Sequence, residues 1–388
     1  MSGLKLVKLE EFASFSQGIQ VDINNQFSEQ FDGCVRFIRI IDFTKGNNDE
    51  VRYIKNPGAR YLVNDDDLVM IRYGSQTAGK IARGFSGAIA NNTFKISLNK
   101  EIADNNYIFY FLSQDSVYKY FHNAQSSSTM PAITFGMIGS LDIELPNINI
   151  QKDIASVLSS LDDKIDLLHR QNATLEKMAE ILFRQWFIEE DDNATIGSLV
   201  EIQNGYAFKS NDFKNIGKNS VIKIKNISGG IIDIERTDFI DNSVISKVHN
   251  KFKIEAGDIL IAMTGAEIGK LGIIPQSNKD LWLNQRVGLL KEKYKGSKYL
   301  AYLQLKSEFG QDYIENAATG SAQPNISGTG IEACGFPNVS DNLIKEYSLQ
   351  IGELYNKVAF NLGQINAISV LRDTLLPKLM SGEVTVEL

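Results

Sequence analysis

The amino-acid sequence contains two copies of one plan, and this internal repeat limits what the chain can fold into. Five segments of the first half return in the same order in the second half, 190 to 193 residues later. For example, DLVMIRYG at 67–74 corresponds to DILIAMTG at 258–265, and YIFYFL at 107–112 corresponds to YLAYLQ at 299–304. The ordered matches indicate a duplicated globular module of about 150 residues, followed each time by a helix of about 40 residues.

The helical segment that follows each module predicts a coiled coil. Its apolar side chains recur at alternating steps of three and four, which is the a/d seam of a heptad repeat. We predict that the two helices pack on each other as an antiparallel pair about 55 Å long. The alternative is that each helix only covers its own module. Pro377 should kink or end the second helix near its last turn. The predicted seam consists of Ile154, Leu158, Leu161, Ile165, Leu168, Asn172, Leu175, Ala179, Leu182 and Trp186 in the first helix, and of Tyr347, Ile351, Leu354, Val358, Asn361, Ile365, Ile368, Arg372, Leu375 and Leu379 in the second.

The sequence predicts an α+β fold for both globular modules. Segments such as VIKIKNI and DILIAM are runs of five to nine β-forming residues, bounded by Gly, Asn and Asp. Long polar loops lie between these runs where crossover helices would be needed for a parallel sheet. A doubly wound nucleotide-binding sheet is therefore disfavoured.

The composition excludes several classes of protein. No apolar run reaches the roughly 18 residues of a membrane span, and the polar N-terminal sequence is not that of a signal peptide. Two cysteines and three histidines are too few and too scattered for a disulfide framework or a structural zinc site. We therefore expect a cytoplasmic protein without a structural metal and without a membrane contact.

The charge distribution separates the helices from the loops. A net charge of −7 argues by itself against a nucleic-acid binder. However, residues 151–190 hold five basic and eight acidic side chains, whereas residues 191–336 hold seventeen of each. The acidity is therefore concentrated in the helical segments, and the second module is close to neutral.

One loop looks like a phosphate-binding P-loop but lacks an essential residue. Residues 74–80 fit the first seven positions, yet the eighth position, which must be Ser or Thr to hold magnesium, is Ile81. Neither a zinc-protease motif nor a nucleophile elbow is present in the sequence. The acidic run at 65–67 has the residue types of a metal site, although such runs are usually solvated turns. These observations predict a protein that binds and does not catalyse.

Polar loops at matching places in the two modules carry the side-chain types that recognise DNA. Hydroxyls, amides, Arg and Glu read base edges in the major groove, and Lys holds phosphates. Polar loops are more often simply solvated, but their recurrence in both copies favours binding. Arg286, in the segment 284–286, belongs either to this surface or to a strand end. The candidate DNA-binding residues are Ser75, Gln76, Thr77, Lys80, Arg83, Ser128 and Thr129 in the first module, and Lys209, Thr264, Glu267, Lys270, Arg286, Ser321, Gln323 and Asn325 in the second.

The duplicated module with its long helix resembles the specificity subunit of type I restriction–modification systems. LEKMAEILFRQWF at 175–187 is similar to the central region of that family, and LRDTLLPKLMSGEV at 371–384 is similar to its C-terminal region. The loop motifs GDILIAMTGAEIGK at 257–270 and GSAQPNIS at 320–327 are also typical of it. The first-half loops depart further from the pattern, as expected if each module reads a different sequence.

The resemblance implies target recognition domains at 1–148 and 191–338, separated by coiled-coil helices at 149–190 and 339–388. Each domain would read one half of a split site in double-stranded DNA, and the helices would set the spacer between the halves. Two modification subunits would dock on the helices through the seam residues Leu158, Leu161, Ile165, Leu168, Leu175 and Leu182 of the first helix and Ile351, Leu354, Val358, Ile365, Ile368 and Leu375 of the second.

The chemistry implied by the resemblance belongs to other subunits. The modification subunits would supply S-adenosylmethionine and methylate adenine at N6, and motor-nuclease restriction subunits would use ATP and Mg²⁺ to translocate and cleave foreign DNA. This chain would bind no cofactor and would be non-catalytic. Two alternatives remain open from the residues alone: a stand-alone, two-headed DNA-binding regulator, and a coiled-coil scaffold for protein interactions.

Overall fold

The structure, a computed structural model, describes residues 5–44, 51–74, 76–123, 132–187, 194–320 and 324–386. The chain forms two compact units. The first unit comprises the chain up to Asp163 together with Ser369 onward, and the second comprises Lys164–Ile368. Each unit therefore contains one globular module and part of both long helices.

The first unit is built from two four-stranded sheets and a separate strand pair. The sheet orders are β2-β9-β6-β7 and β4-β3-β8-β5, and β1 pairs antiparallel with β10. Its strands are β1 (Lys5–Lys8), β2 (Ala13–Gln17), β3 (Cys34–Ile38), β4 (Arg52–Lys55), β5 (Leu62–Val63), β6 (Leu68–Ile71), β7 (Ile81–Ala82), β8 (Gly87–Ile89), β9 (Thr93–Leu98) and β10 (Asp142–Leu145). Its helices are α1 (Ile40–Thr44), α2 (Asn105–Leu112), α3 (Asp115–Asn123), α4 (Phe135–Gly139) and the first part of α5 (Ile148–Phe187).

The second unit repeats this plan with more strands in each of its two main sheets. The sheet orders are β12-β22-β19-β20-β16-β15 and β13-β17-β14-β21-β18, and β11 pairs antiparallel with β23. Its strands are β11 (Ala194–Thr195), β12 (Val200–Asn204), β13 (Phe213–Lys214), β14 (Asn219–Ile222), β15 (Ile227–Ser228), β16 (Gly230–Ile232), β17 (Asp238–Ile240), β18 (Lys253–Ile254), β19 (Ile259–Ala262), β20 (Leu271–Ile273), β21 (Asp280–Leu283), β22 (Val287–Glu292) and β23 (Gly335–Phe336). Its helices are α6 (Asn242–Ile245), α7 (Ser297–Lys306), α8 (Glu308–Ala317), α9 (Gly328–Glu332) and most of α10 (Asp341–Met380).

In each unit the largest apolar cluster lies between the sheet that contains β6 or β19 and the helices. Every residue of β6 and of β19 is buried, because both faces of these central strands are covered. In the first unit, Phe94 of β9, Tyr107 of α2 and Leu158 of α5 belong to one apolar cluster. The predicted α+β fold is confirmed.

The two long helices pack together, as the heptad pattern predicted. In the second unit, the Asn361 side chain donates a 2.8 Å hydrogen bond to Oδ1 of Asn172, and both residues are buried. The rings of Trp186 and Tyr347 stack at 4.0 Å. Moving from residue 172 to 186 along α5 thus corresponds to moving from 361 back to 347 along α10, so the pair is antiparallel. α10 ends at Met380, three residues after Pro377.

The helices pack on each other and also cover the modules, so the alternative that each helix only covers its own module does not hold. In the second unit, Tyr355 of α10 stacks on Tyr299 of α7 at 5.1 Å. Lys306 of α7 forms 3.1 Å ion pairs with Glu176 and Glu180 of α5. Across the described ranges, no helix is both long and apolar enough to cross a membrane.

Candidate nucleic-acid interface

Two loops lie side by side at one end of the larger sheet of the second unit. One connects β19 to β20, and the other leads into α9. Thr264 and Asn325 form a β-bridge, and the Gly265 amide donates to the carbonyl of Pro324 at 2.9 Å. The predicted residues Thr264 and Asn325, which are 61 positions apart in the sequence, are therefore neighbours.

These loops border a cleft of about 480 Å³ in the second unit. Thr264 Oγ1 is buried there without a hydrogen-bond partner among the described residues. Arg286 is exposed, and its guanidinium has no hydrogen bond or ion pair within the described part of the chain. A hydroxyl, amides and a guanidinium in one cleft are the groups that hydrogen-bond to base edges. The cleft is lined by Asn204, Met263, Thr264, Gln285, Arg286, Asn325, Ile326 and Ser327.

The two predicted lysine contacts of the second unit differ in whether their charge is already used in an ion pair. Lys270 is exposed but forms an ion pair with Glu267 in the loop between β19 and β20. Lys209 is also exposed, and its backbone amide donates to Asp212. A phosphate contact by Lys270 would compete with Glu267, whereas Lys209 presents its charge without an ion pair among the described residues.

The corresponding loop of the first unit is a glycine-bounded turn between β6 and β7. Gly74 and Gly79 have φ values of 126° and 86°, which favour glycine. The loop leads into the strand β7, whereas a P-loop leads into a helix. Gln76 and Lys80 are exposed. Thr77 is half-buried, and its hydroxyl donates to the carbonyl of Tyr73 at 3.2 Å.

Arg83, a further predicted DNA contact, is held against α2. Its guanidinium lies 4.2 Å from the centre of the Phe109 ring and donates to the Tyr110 hydroxyl at 3.2 Å. It also donates to the side chain of Asn106. These contacts give Arg83 a role within the unit, and its contact with DNA stays a prediction.

The predicted site residues Ser75, Ser128, Thr129, Ser321 and Gln323 lie outside the described residues. Sequence reasoning missed Asn204 and Ser327, which line the cleft of the second unit. The only local signal for Asn204 is the QNG segment at 203–205, which resembles SQG at 16–18 in the first module.

The predicted seam residues are buried or partly buried in the structure. Leu158, Ile165, Leu168, Ile351, Val358 and Ile365 are buried. Leu161, Leu175, Leu182, Leu354, Ile368 and Leu375 are partly buried. Because most of this surface is already used within the chain, a partner protein would have to contact mainly the outward positions of the helices, which sequence reasoning did not single out.

The described residues do not contain a group of three or more His, Cys, Asp or Glu side chains suited to hold a metal ion.

The sequence matches the family described as type I restriction modification DNA specificity domain over residues 1–177 and 189–342. The two matched stretches correspond to the two copies of the repeat. The chain belongs to this family, and it is a type I specificity subunit with two recognition domains.

Two specificity subunits of similar sequence and one solved structure of similar fold support this membership. The chain is 27% identical to the type I restriction enzyme MjaVIII specificity subunit of Methanocaldococcus jannaschii, in an alignment covering 71% of this chain and 69% of the relative. It is 22% identical to the HindI specificity subunit of Haemophilus influenzae, covering 97% and 100%. The fold is similar to the crystal structure of a type I S subunit from M. genitalium, with a TM-score of 0.61, 16% identity, and coverage of 100% and 98%.

Proposed function

We propose that this chain is the non-catalytic, cytoplasmic recognition subunit of a type I restriction–modification complex. Each globular module reads one half of a bipartite site in double-stranded DNA, and the helix pair sets the spacer and docks the modification subunits. The observation that carries this proposal is the recurrence of one pair of adjacent loops: Thr264 bridges to Asn325 in the second unit, and Tyr73 bridges to Ala132 in the first.

The chemistry of the cleft supports base recognition in the second unit. An Arg fork pairs with two acceptors of guanine, and an Asn or Gln amide pairs with adenine. Arg286 and Gln285 are both exposed at this cleft. The net charge of −7 means that isolated binding should be weak, because phosphate neutralisation supplies much of the affinity of a DNA-binding protein.

The outward side of the helix pair supports docking of a protein partner. In the second unit, one side of the pair packs on the module through Phe183, Tyr355 and Leu362. A second side carries Met178 on α5 and Phe360 on α10, which are 48% and 47% exposed. Exposed apolar side chains that cluster in this way mark interaction surfaces.

Met178 and Phe360 lie on the same side of the helix pair. A groove of about 490 Å³ between the helices has Thr174 of α5 and Lys357 and Gln364 of α10 among its lining residues. Met178 is one turn from Thr174, and Phe360 lies within one turn of both lining residues on α10. We propose that a modification subunit contacts this apolar surface, while S-adenosylmethionine, ATP and Mg²⁺ are held by the modification and motor-nuclease restriction subunits.

The test of the DNA role is to co-express the chain with its modification subunit and to sequence the host genome for N6-methyladenine. We expect a new split motif, with methyladenine in both halves, that depends on this chain. A stable complex without any methylated motif would contradict the recognition role. Tight, salt-sensitive binding by the chain alone would instead favour a stand-alone regulator.

The test of the docking role uses Met178→Asp combined with Phe360→Asp. We expect loss of co-purification with the modification subunit while the thermal unfolding of the chain is unchanged. Lys177→Ala, an exposed position on the same helix, is the control and should leave assembly intact. Full assembly of the double variant would show that the apolar surface is not the docking site.

A further inference from the structure

The backbone around the cleft of the second unit recurs in the first unit. In the second unit the Met263 amide donates to the Arg286 carbonyl at 3.2 Å, and in the first unit the Arg72 amide donates to the Asn92 carbonyl at 2.8 Å. Three further pairs of hydrogen bonds match, each given with the second unit first. Ile326 N donates to Met263 O (3.1 Å) as Ile133 N donates to Arg72 O (2.9 Å), and Gly205 N donates to Val287 O (3.2 Å) as Gly18 N donates to Thr93 O (3.1 Å). Tyr206 N donates to Leu283 O (2.9 Å) as Ile19 N donates to Ile89 O (2.9 Å).

These matches give a position-by-position correspondence between the two units. Asn92 occupies the backbone position of Arg286, and Arg72 occupies that of Met263. The short helices that follow agree, since Thr134 caps α4 as Ser327 caps α9. By continuity of the strand, Asn91 corresponds to Gln285. The two units thus present different side chains on one backbone plan.

Arg72 is positioned beside this surface without a hydrogen-bonding partner for its Nε. That atom is buried and has no acceptor among the described residues. The guanidinium carbon lies 5.0 Å from the centre of the Tyr73 ring and 6.0 Å from that of Phe135, so the two rings border the side chain. The residue as a whole remains partly exposed.

Asn92 is also incompletely used within the unit. Its Oδ1 is buried and has no donor among the described residues. Asn91, the next residue in the chain, is half-buried, and its amide contacts the side chain of Gln20 at 3.4 Å. Buried polar atoms are normally hydrogen-bonded, and leaving them unpaired is costly. Arg72 and Asn92 thus lie on the surface that corresponds to the cleft of the second unit, with hydrogen-bonding capacity that is not used among the described residues.

We propose that Arg72, Asn91 and Asn92 determine the specificity of the first unit, with Arg72 supplying the guanidinium that Arg286 supplies in the second. This inference rests on the proposed recognition of a bipartite DNA site. Because the Arg has moved from the position of residue 286 to that of residue 263, the two units address different base pairs within their half-sites. The same local backbone arrangement then reads two different sequences through different side chains.

The experiment compares methylated motifs made by complexes of the full chain with its modification subunits. Arg72→Met gives the first unit the side chain that the second unit has at the equivalent position, Met263. We expect discrimination at one base pair of the first half-site to fall by about 10- to 100-fold. Asn92→Arg should change the preferred base in the same half-site. Arg286→Asn should alter the second half-site only. Arg60→Met, at an exposed position of the first unit, is the matched control and should leave both halves of the motif unchanged.

Two outcomes separate this inference from the proposed function. If the unaltered chain directs no methylation, both fail. If it directs a split motif and Arg72→Met leaves the first half unchanged at full activity, only the inference fails. Should Arg72→Met prevent assembly, Arg72→Lys decides, because it keeps the charge but loses the planar fork. A relaxed first half-site in that variant supports the inference, and an unchanged one overturns it.

Discussion

The two units attach their modules to the long helices with different chemistry at equivalent positions. Tyr110 of α2 and Tyr302 of α7 correspond in the repeat. In the first unit, the Tyr110 hydroxyl donates a 2.6 Å hydrogen bond to Asp162 of α5. In the second unit, Tyr302 meets the ring of Tyr355 of α10 edge-on at 5.4 Å. Asp162 in the first unit and Tyr355 in the second thus each attach a long helix to the module, Asp162 through a hydrogen bond and Tyr355 through ring packing.

The polar attachment of the first unit joins several elements. Asp162 also accepts a 2.7 Å ion-paired hydrogen bond from Arg372 of α10, and Arg83 donates to the Tyr110 hydroxyl at 3.2 Å. Burial, together with the hydrogen bond to Asp162, raises the pKa of Tyr110 to about 12, so the phenol stays a donor. Such an attachment is directional and depends on single atoms.

The aromatic attachment of the second unit depends on the close packing of large buried rings. Tyr355 is fully buried against Tyr299 and Tyr302, and its hydroxyl has no partner among the described residues. The Tyr299 hydroxyl donates to the carbonyl of Gly257 at 3.0 Å. It also donates to Oδ1 of Asn356 on α10 at 3.0 Å, so ring contact and apolar burial hold α10 to this module together with a hydrogen bond. The difference shows that duplicated domains can conserve an arrangement while exchanging its chemistry.

The largest effect is expected from Tyr355→Ala. Removing this buried ring should lower the free energy of unfolding of the second unit by about 3–5 kcal/mol, because the cavity cannot fully close. Urea unfolding followed by tyrosine and tryptophan fluorescence measures it. Phe360→Ala, at an exposed position on the same helix, should cost less than about 0.5 kcal/mol. Equal losses for the two variants would contradict the distinction.

Asp162→Ala should cost about 2 kcal/mol of the unfolding free energy of the first unit. Both Tyr110 and Arg372 lose the carboxylate of Asp162 as an acceptor, and hydrogen bonds to charged groups contribute about this much. Asp163→Ala changes an exposed neighbouring carboxylate and serves as the control. The polar attachment would be refuted if both variants unfolded at the same urea concentration.

Lys306→Met should have a smaller effect, about 0.5–1 kcal/mol. Its ion pairs with Glu176 and Glu180 are partly exposed, with 37% of the lysine side chain accessible, so water and salt weaken them. The loss should shrink further in high salt, which urea unfolding at two ionic strengths can measure. A salt-independent loss would assign the effect to the packing of the lysine stem.

The smallest effect near neutral pH concerns the tyrosines. Burial raises the pKa of both Tyr110 and Tyr302 from the ordinary 10 to about 12. Below pH 10 the folded and unfolded states both keep these protons, so stability is unaffected. Between pH 10 and 12 the unfolded chain releases them first, and stability should fall. Tyr110→Phe should remove part of this loss; absorbance at 295 nm and urea unfolding across that range provide the measurement.

Sequence patterns predicted the elements that depend on local or periodic features. The heptad steps identified the helix seam and its polar position Asn172, and the repeat identified the loop that contains Thr264. The cleft was only partly predicted, because Asn204 and Ser327 come from segments far from that loop in the sequence. Arg83 was predicted to contact DNA from its place near a polar loop, and the sequence did not show that α2 provides the acceptors and rings that contact it.

The sequence by itself determined the duplication, the α+β modules, the paired helices and the family, because each of these follows from order and periodicity along the chain. Only the tertiary structure decided which side chains meet. The strand order brings Arg286 to Thr264 and Asn325, and it brings Asn92 to Arg72. Helix packing likewise decides which residues remain free for a partner, since the side of a helix that faces its own module is covered by residues distant in the chain.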